Sequence, residues 1–389
     1  MYDVAVIGAG PIGSRLAYRL AGMGCRVIVL EEKAGLAGPV CCSGIISEEC
    51  VNHFGVDRSV IIREANSARV FSPSGKILSL KRPEPQACIV DRTAFNLSLA
   101  RQAEAQGAEY VFNSSVVNLD IQPDGVRIDL GQKRQIEARA AVIAAGSASK
   151  LVEKLGFGKV GDFCMGAQAV VEAPGLKEVE VYLGAKVAPG FFGWLVPFTP
   201  GKALVGLLSR RQTSFYTKRL ISSLAVEGKL ASDKVEISVA PVPLKPLAKT
   251  FAERVIVVGS AAGQVKPVTG GGIYYGLLCA DIAAENLYQA LEEDNLSAKN
   301  LDKYEKAWQK RLGREIRTSY WSRRFYELLS DRRIDSIFDI IKSNGIDKAL
   351  LEAEDVAFDW HGKAVLKLLG HRALARFVEA MRFSLPPGR

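Results

Sequence analysis

The sequence predicts an α/β protein: a parallel nucleotide-binding core, interrupted by an inserted antiparallel β-sheet and followed by a helical C-terminal region. Three observations predict it. The chain opens on strand, glycine turn and helix in "YDVAVIGAGPIGSRLAYRLAG". A second strand running into glycines and a helix, "RVIVVGSAAGQVKPVTGGGIYYGLLCADIAAENL", stands much farther along. Between them the texture changes to short alternating strands such as "GAQAVVEA", "VEVYLG" and "KALVGLLS".

The first stretch justifies the parallel core. Val4 to Ile7 reads as a buried strand, Gly8, Gly10 and Gly13 form GxGxxG, and Pro11 and Ile12 open a helix expected to reach about Ala21. The next strand, "CRVIVL", ends at Glu31 and Glu32. Gly8 permits the tight turn, Gly10 lets the backbone approach a pyrophosphate, and Gly13 lets the helix pack closely on the strand. The helix N-terminus favours phosphate charge, and Glu31 is expected to accept hydrogen bonds from an adenosine ribose. This is a Rossmann-like unit. Alone, it does not separate a nicotinamide from a flavin dinucleotide.

The later stretch bears on that choice. A strand over Val255 to Val258 runs into Gly259, Ser260 and Ala261, then Pro267 and the run Gly270, Gly271, Gly272, Ile273. It resembles the second FAD motif of the flavoprotein hydroxylase and reductase superfamily. The resemblance implies that the strand end meets the ribityl and phosphate groups and that the glycine-led helix lies against the flavin ring. Ser260 replaces the superfamily's usual aspartate; its hydroxyl can reach the ribityl chain but brings no charge. "IVDRTAFNLSLARQAEAQGAEYVFNSSVVNL" resembles the superfamily's R..F element, which implies that Arg92, and Val117 at the end of the stretch, lie close to the cofactor. The plain alternative for Arg92 is a surface charge at a helix start. "ARAAVIAAGSAS" reads as a strand ending at Ala145 and Gly146, where similar proteins pass the adenine side of FAD.

The insert carries the segment "KVAPGFFGWLVPFTPG", too short and too broken by proline to cross a membrane. Pro189, Phe192, Trp194 and Pro197 match the PxxYxWxFP pattern of the geranylgeranyl reductase family, with Phe192 in place of its Tyr and Val196 in place of its Phe. "PVCCSGIIS" is also similar to that family, with Cys42 at its cysteine position and Ser43 and Gly44 following. The resemblance implies a discontinuous FAD-binding domain (1–60, 86–165 and 253–295), a substrate-binding sheet (61–85 and 166–252) and a helical region (296–389). A prenyl chain offers no polar handle, so an apolar, aromatic wall shaped by rigid turns suits it. The bland reading of the same segment is a core hairpin.

From about Leu296 the chain turns helical. Tyr304, Trp308, Leu312, Ile316 and Tyr320 recur every four residues beside Lys306, Lys310, Arg314 and Arg317. A helix packed on its own domain, with a solvated basic face, is expected over one lying on an anionic membrane. "ALARFVEAMRFSLPPGR" reads as a final helix and a loose tail.

Bulk properties narrow the class. The 389 residues carry 51 basic and 42 acidic groups, a net charge of +9. No nucleic-acid module accompanies that charge, so no nucleic-acid partner is expected; an anionic substrate or membrane surface accounts for it. Seven cysteines show no repeated CxxC and no cluster with His53, His361 or His371, which argues against zinc and a secreted disulfide framework. No metal is expected. With no basic leader and no long apolar run, a cytoplasmic protein is expected, with peripheral attachment to the inner membrane face left open.

The resemblance implies an FAD-dependent reductase of C=C bonds in geranylgeranyl lipids or geranylgeranyl diphosphate. Such a double bond needs hydride from reduced flavin together with a proton, and Trp194, Phe191, Phe192, Tyr274 and Tyr275 are candidates to stabilise the positive charge that builds on carbon. Phe192 cannot donate the proton that the family's tyrosine could, which leaves Cys42, as donor or water-holder, against its reading as a small buried hydrophobe. A vicinal disulfide with Cys41 is a further alternative. One dinucleotide fingerprint leaves no separate nicotinamide domain, so NADPH binding transiently, or ferredoxin, is the expected electron donor. The rivals are a monooxygenase or halogenase of the same superfamily, and a non-enzymatic prenyl-lipid carrier.

Overall fold

The structure, a computed structural model, describes residues 1–38, 41–131, 134–353, 357–362, 364, 367 and 371. The final helix and tail read from "ALARFVEAMRFSLPPGR" lie outside the described residues. The chain forms two compact units, each assembled from three segments. One comprises Met1–Ile62, Val90–Cys164 and Ala240–Ile316; the other comprises Arg63–Ile89, Met165–Val239 and the chain from Arg317.

The first unit is built on an eight-stranded sheet. Tyr2–Ile7 sits between Val27–Leu30 and Gln135–Ile143, parallel to both. Glu109–Val111 extends the sheet in parallel on one side and Val255–Val257 on the other. Strands buried on both faces read as unbroken apolar runs, which is why Val4, Ala5 and Val6 could be placed from the sequence. The first helix spans Pro11–Gly22, with proline at its first turn and Leu16, Ala17 and Leu20 buried. The strand carrying "ARAAVI" ends at Ile143, two residues short of the expected Ala145, so that Ala145 and Gly146 belong to the loop beyond it.

Three expected boundaries differ by more than two residues. Residues 86–89, expected in the nucleotide-binding domain, fall in the second unit. Residues 240–252 join the first unit, because Leu244 N–H donates to Asp162 O (2.8 Å) and Leu247 N–H to Ala262 O (3.0 Å). The helical region is no third body but divides after Ile316. Its first part is tied to the first unit by the Tyr304 hydroxyl on Val257 O (3.1 Å) and by Trp308 Nε1–H on Thr250 Oγ1 (3.0 Å). Tyr304, Trp308, Leu312 and Ile316 are all buried, while Lys306, Lys310, Arg314 and Arg317 are exposed, as a packed helix requires. In a pure α-helix a four-residue repeat drifts by about 40° per step. The stretch Gln309–Gly313 is a π-helical turn, whose wider winding takes up part of that drift and keeps the stripe facing inward.

In the second unit, six strands run in the order Phe163–Glu172, Lys202–Ser209, Phe192–Pro197, Val179–Leu183, Ser67–Phe71, Ile77–Lys81. The expected sheet was antiparallel; this one is mixed, because Val179–Leu183 pairs in parallel with Ser67–Phe71. That pairing joins two separate chain segments, so no hairpin constrains its direction. A helix over Thr213–Val226, unforeseen in the sequence, packs on the sheet at Gly193, where an added Cβ would lie 2.8 Å from Leu220 Cδ2. Among the described residues, no helix is long and apolar enough to cross a membrane.

Candidate functional site

A groove of about 620 Å³ opens in the first unit at the C-terminal ends of its parallel strands. Its floor is the first glycine turn. Gly8 holds φ +105°, a region open to glycine, and a Cβ there would sit 2.7 Å from Ala144 O. Gly13 is packed harder still: its Cβ would fall 2.0 Å from the Gly8 carbonyl oxygen. Gly10 differs from both. A Cβ there would meet nothing within 4 Å, so the protein alone leaves that approach open.

Two helices begin at the groove, Pro11–Gly22 and Ile273–Glu292, and neither carries an acidic residue in its first turn. Their positive ends are therefore not neutralised from within the helices, although the Glu31 carboxylate accepts Ala9 N–H (2.9 Å) beside the first. The helices pack on each other through Gly276, where a Cβ would lie 2.5 Å from Ile12 Cδ1. A paired Arg15–Asp281 contact (2.7 and 2.9 Å) pins them. The second glycine turn is braced from behind: Gln264 Oε1 accepts Gly259 N–H at 2.8 Å, and Gln264 Nε2 donates to the Tyr304 hydroxyl at 2.8 Å. Burial holds that phenol well above its usual pKa, so it stays a neutral donor toward Val257 O.

Arg92 opens the helix Arg92–Ala105, capped by Asp91, whose carboxylate accepts Thr93 and Ala94 N–H at 2.9 and 3.0 Å. Asn96, four residues on, shares its helix face. Both line the groove, and Arg92 Nε and Nη1 and Asn96 Oδ1 are buried without a hydrogen-bond partner. Buried polar atoms are normally satisfied. These three unmet groups give the groove an appetite for a polar, partly anionic ligand.

The expected cofactor residues divide accordingly. Gly13, Ser43, Gly44, Ala261 and Gly271 do not line the groove; the others do. Gly44 has a structural task, since at φ +66° its Cβ would meet Val90 O at 2.6 Å and Arg92 Cγ at 3.3 Å. It lets the Cys41–Gly44 loop lie across Arg92. Ala261 is buried in the core, and Gly271 gives way to the Lys266 side chain, whose Cε would lie 2.8 Å from a Cβ there. Glu31 lines the groove, yet its carboxylate already accepts Ala9 N–H (2.9 Å) and Lys33 N–H (3.1 Å). It thus braces the first glycine turn in addition to any role expected of it toward a ribose. Val117 and Ser260 line the groove as well.

The four catalytic candidates fall two in each unit. Cys42 lines the groove beside Cys41. The two are not joined by a disulfide, and burial, with the neighbouring Cys42 thiol, raises the Cys41 pKa. Tyr274 is buried with its hydroxyl donated to Glu49 Oε1 at 2.5 Å and does not line the groove. Phe192 and Trp194 belong to the second unit, on the sheet face opposite Gly193, with ring centroids 5.9 Å apart. A Cβ on Gly206 would meet Trp194 Cζ2 at 2.5 Å, so the indole lies across that glycine. Its Nε1 is buried without a partner. Phe191, by contrast, is fully buried under the Arg323 guanidinium, 3.6 Å above its ring.

Sequence reasoning missed Asn96 and the "APVP" stretch that brings Pro241 and Pro243 to the groove wall. The signal for Asn96 was its spacing of four from Arg92. For Pro241 there was none, since it is placed by a distant contact: Ser147 Oγ donates to Pro241 O at 2.6 Å.

Comparison with known proteins shows the family and the fold. The family described as lycopene cyclase protein matches residues 3–343. A digeranylgeranylglycerophospholipid reductase of Methanocaldococcus jannaschii is 30% identical over 369 residues, covering 89% of this chain and 93% of the relative. Among solved structures, a geranylgeranyl bacteriochlorophyll reductase-like protein of Thermoplasma acidophilum has a TM-score of 0.85 at 23% identity, covering 99% of both chains. A mutant of the halogenase PltM in complex with FAD has a TM-score of 0.68 at 14% identity, covering 99% of this chain and 93% of that one, a likeness of fold alone. This chain belongs to the lycopene cyclase protein family and to the flavoenzymes of the geranylgeranyl reductase type.

Proposed function

We propose that the protein binds FAD in the groove of its first unit and saturates C=C bonds of geranylgeranyl chains on an archaeal-type membrane lipid. The observation that carries the cofactor assignment is the set of unmet groups in the groove: two nitrogens of Arg92, Asn96 Oδ1, and two helix N-termini whose own first turns hold no acidic residue. FAD offers what they lack. Its pyrophosphate suits the open approach at Gly10, its ribityl hydroxyls suit Ser260, and its ring carbonyls and nitrogens suit Arg92 and Asn96. The substrate class is supported by the names of the relatives.

When bound and reduced, the flavin supplies a hydride; the chain must supply the rest. An isolated trisubstituted alkene has no carbonyl to take up charge, so proton and hydride add across it while positive charge develops on the tertiary carbon. Phe192 and Trp194 are the second unit's candidates for holding the hydrocarbon, and an aromatic face stabilises such charge by about 0.5–2 kcal/mol. Cys42 is the candidate to deliver the proton or hold the water that does. Tyr274 is a poorer one, because its hydroxyl proton is already engaged by Glu49. NADPH or ferredoxin would reload the flavin. The reaction belongs at the inner face of the membrane, where such a lipid is found.

The test is mass spectrometry of digeranylgeranylglycerophospholipid incubated without oxygen with the dithionite-reduced, FAD-loaded protein. Gains of about two daltons per double bond are expected. No anaerobic change, with a gain of about sixteen daltons once oxygen and NADPH are added, would make it a monooxygenase.

A further inference from the structure

We propose that the outer face of the helix Arg314–Glu327 is a docking surface for an anionic bilayer, an inference that rests on the membrane-lipid substrate just assigned. The face that packs inward is buried, with Ile316, Ser319 and Arg323 nearly inaccessible. The opposite face is a separate pattern. Arg314, Arg317, Trp321, Arg324 and Leu328 recur at alternating spacings of three and four, and all five are exposed. Trp321 is 65% exposed, the most of any described tryptophan or phenylalanine, and Leu328 is 61% exposed.

The exposed charge on this helix is mainly positive. Arg314, Arg317 and Arg324 are exposed while Arg323 packs inward, and the helix holds two acids, Glu315 and Glu327. Glu327, at the end, presents little negative charge outward, because its carboxylate is bound to Arg210 (2.9 Å) and Arg324 (3.2 Å) and is only 12% exposed. A headgroup layer over hydrocarbon matches this order of groups. Guanidinium groups meet phosphates, an indole sits at the polar boundary, and a leucine reaches below it. A polyanion lacking an apolar layer, such as nucleic acid, would have nothing for Trp321 and Leu328. A lipid-modifying enzyme without a spanning helix among its described residues would use such a surface to reach its substrate.

The experiment is flotation of the FAD-loaded protein with vesicles of phosphatidylcholine, with and without phosphatidylglycerol, while tryptophan emission is followed. The protein should float with the anionic vesicles, less so as salt is raised, with a blue shift absent from Trp321→Phe. Arg317→Glu should weaken binding about tenfold or more, and Trp321→Ala by about tenfold, whereas Arg317→Lys should float as the parent does. Melting curves confirm that each variant is folded, and turnover of detergent-dispersed lipid should stay at the parent level. Flotation of Arg317→Glu equal to the parent would overturn the proposal. So would a stable dimer in which Trp321 is already shielded, since a second copy would then own the face. The two readings fail separately: flotation without lipid reduction sinks the proposed activity alone, and reduction of dispersed lipid without flotation sinks the docking surface alone.

Discussion

Gly8, Gly10 and Gly13 shape the first unit's groove by lacking side chains, whereas in the second unit Phe192 and Trp194 on one sheet face, and Phe191 under Arg323, act by filling space. The difference decides how each region tolerates change. A backbone placed 2.0 Å from where a Cβ would stand admits one residue type. A space-filling layer admits several, so Phe192 and Val196 can exchange with other large apolar or aromatic residues at little cost.

The comparison breaks first at Phe191. If aromatic filling organises the second unit, Phe191→Ala should cost about 3–5 kcal/mol in denaturant unfolding, because it opens a cavity and strips the ring from a buried guanidinium. A loss under about 1 kcal/mol would mean that the site collapses freely and that the aromatic layer is incidental. The sharper contrast lies within one motif. Gly13→Ala should destabilise the apoprotein by about 2–3 kcal/mol through overlap with the Gly8 carbonyl. Gly10→Ala should leave apoprotein stability within about 0.5 kcal/mol while weakening FAD binding at least tenfold, read by flavin fluorescence titration. Equal effects of the two substitutions on stability would deny that Gly10 is kept open for a ligand. The smallest effect concerns Cys41. Its raised thiol pKa leaves less thiolate near neutral pH, so alkylation by iodoacetamide should be slower than for a model thiol and should accelerate as pH rises past the ordinary thiol range. FAD should slow it further by covering the groove.

What could be read in advance follows the same division. The glycine turns, the strands around Val4 and Val255 and the helix start at Arg92 are local: each is dictated by its neighbours in sequence, so the groove's floor was visible before the structure. Asn96 and Pro241 were not, because what brings them to the groove is packing across the fold. The helix Thr213–Val226 was hidden by β-branched and serine residues that favour other states in isolation; packing at Gly193 overrides them. Likewise the parallel pairing of Ser67–Phe71 with Val179–Leu183 leaves no trace in either strand. For the helix beyond Ala298, the four-residue apolar repeat foretold the buried stripe but not the π turn that accommodates it.

That parallel pairing has a consequence for how the molecule comes into being. On the ribosome, the edge of Ser67–Phe71 must wait for more than a hundred further residues before its partner exists. At about 5–20 residues per second that is on the order of ten seconds of unsatisfied backbone. The wait for Leu78 is longer, since the side chains that bury it, Ile334 and Phe338, come near the end of synthesis. The second unit therefore cannot close early, and its late completion makes the nascent chain a natural client for chaperones that shield strand edges.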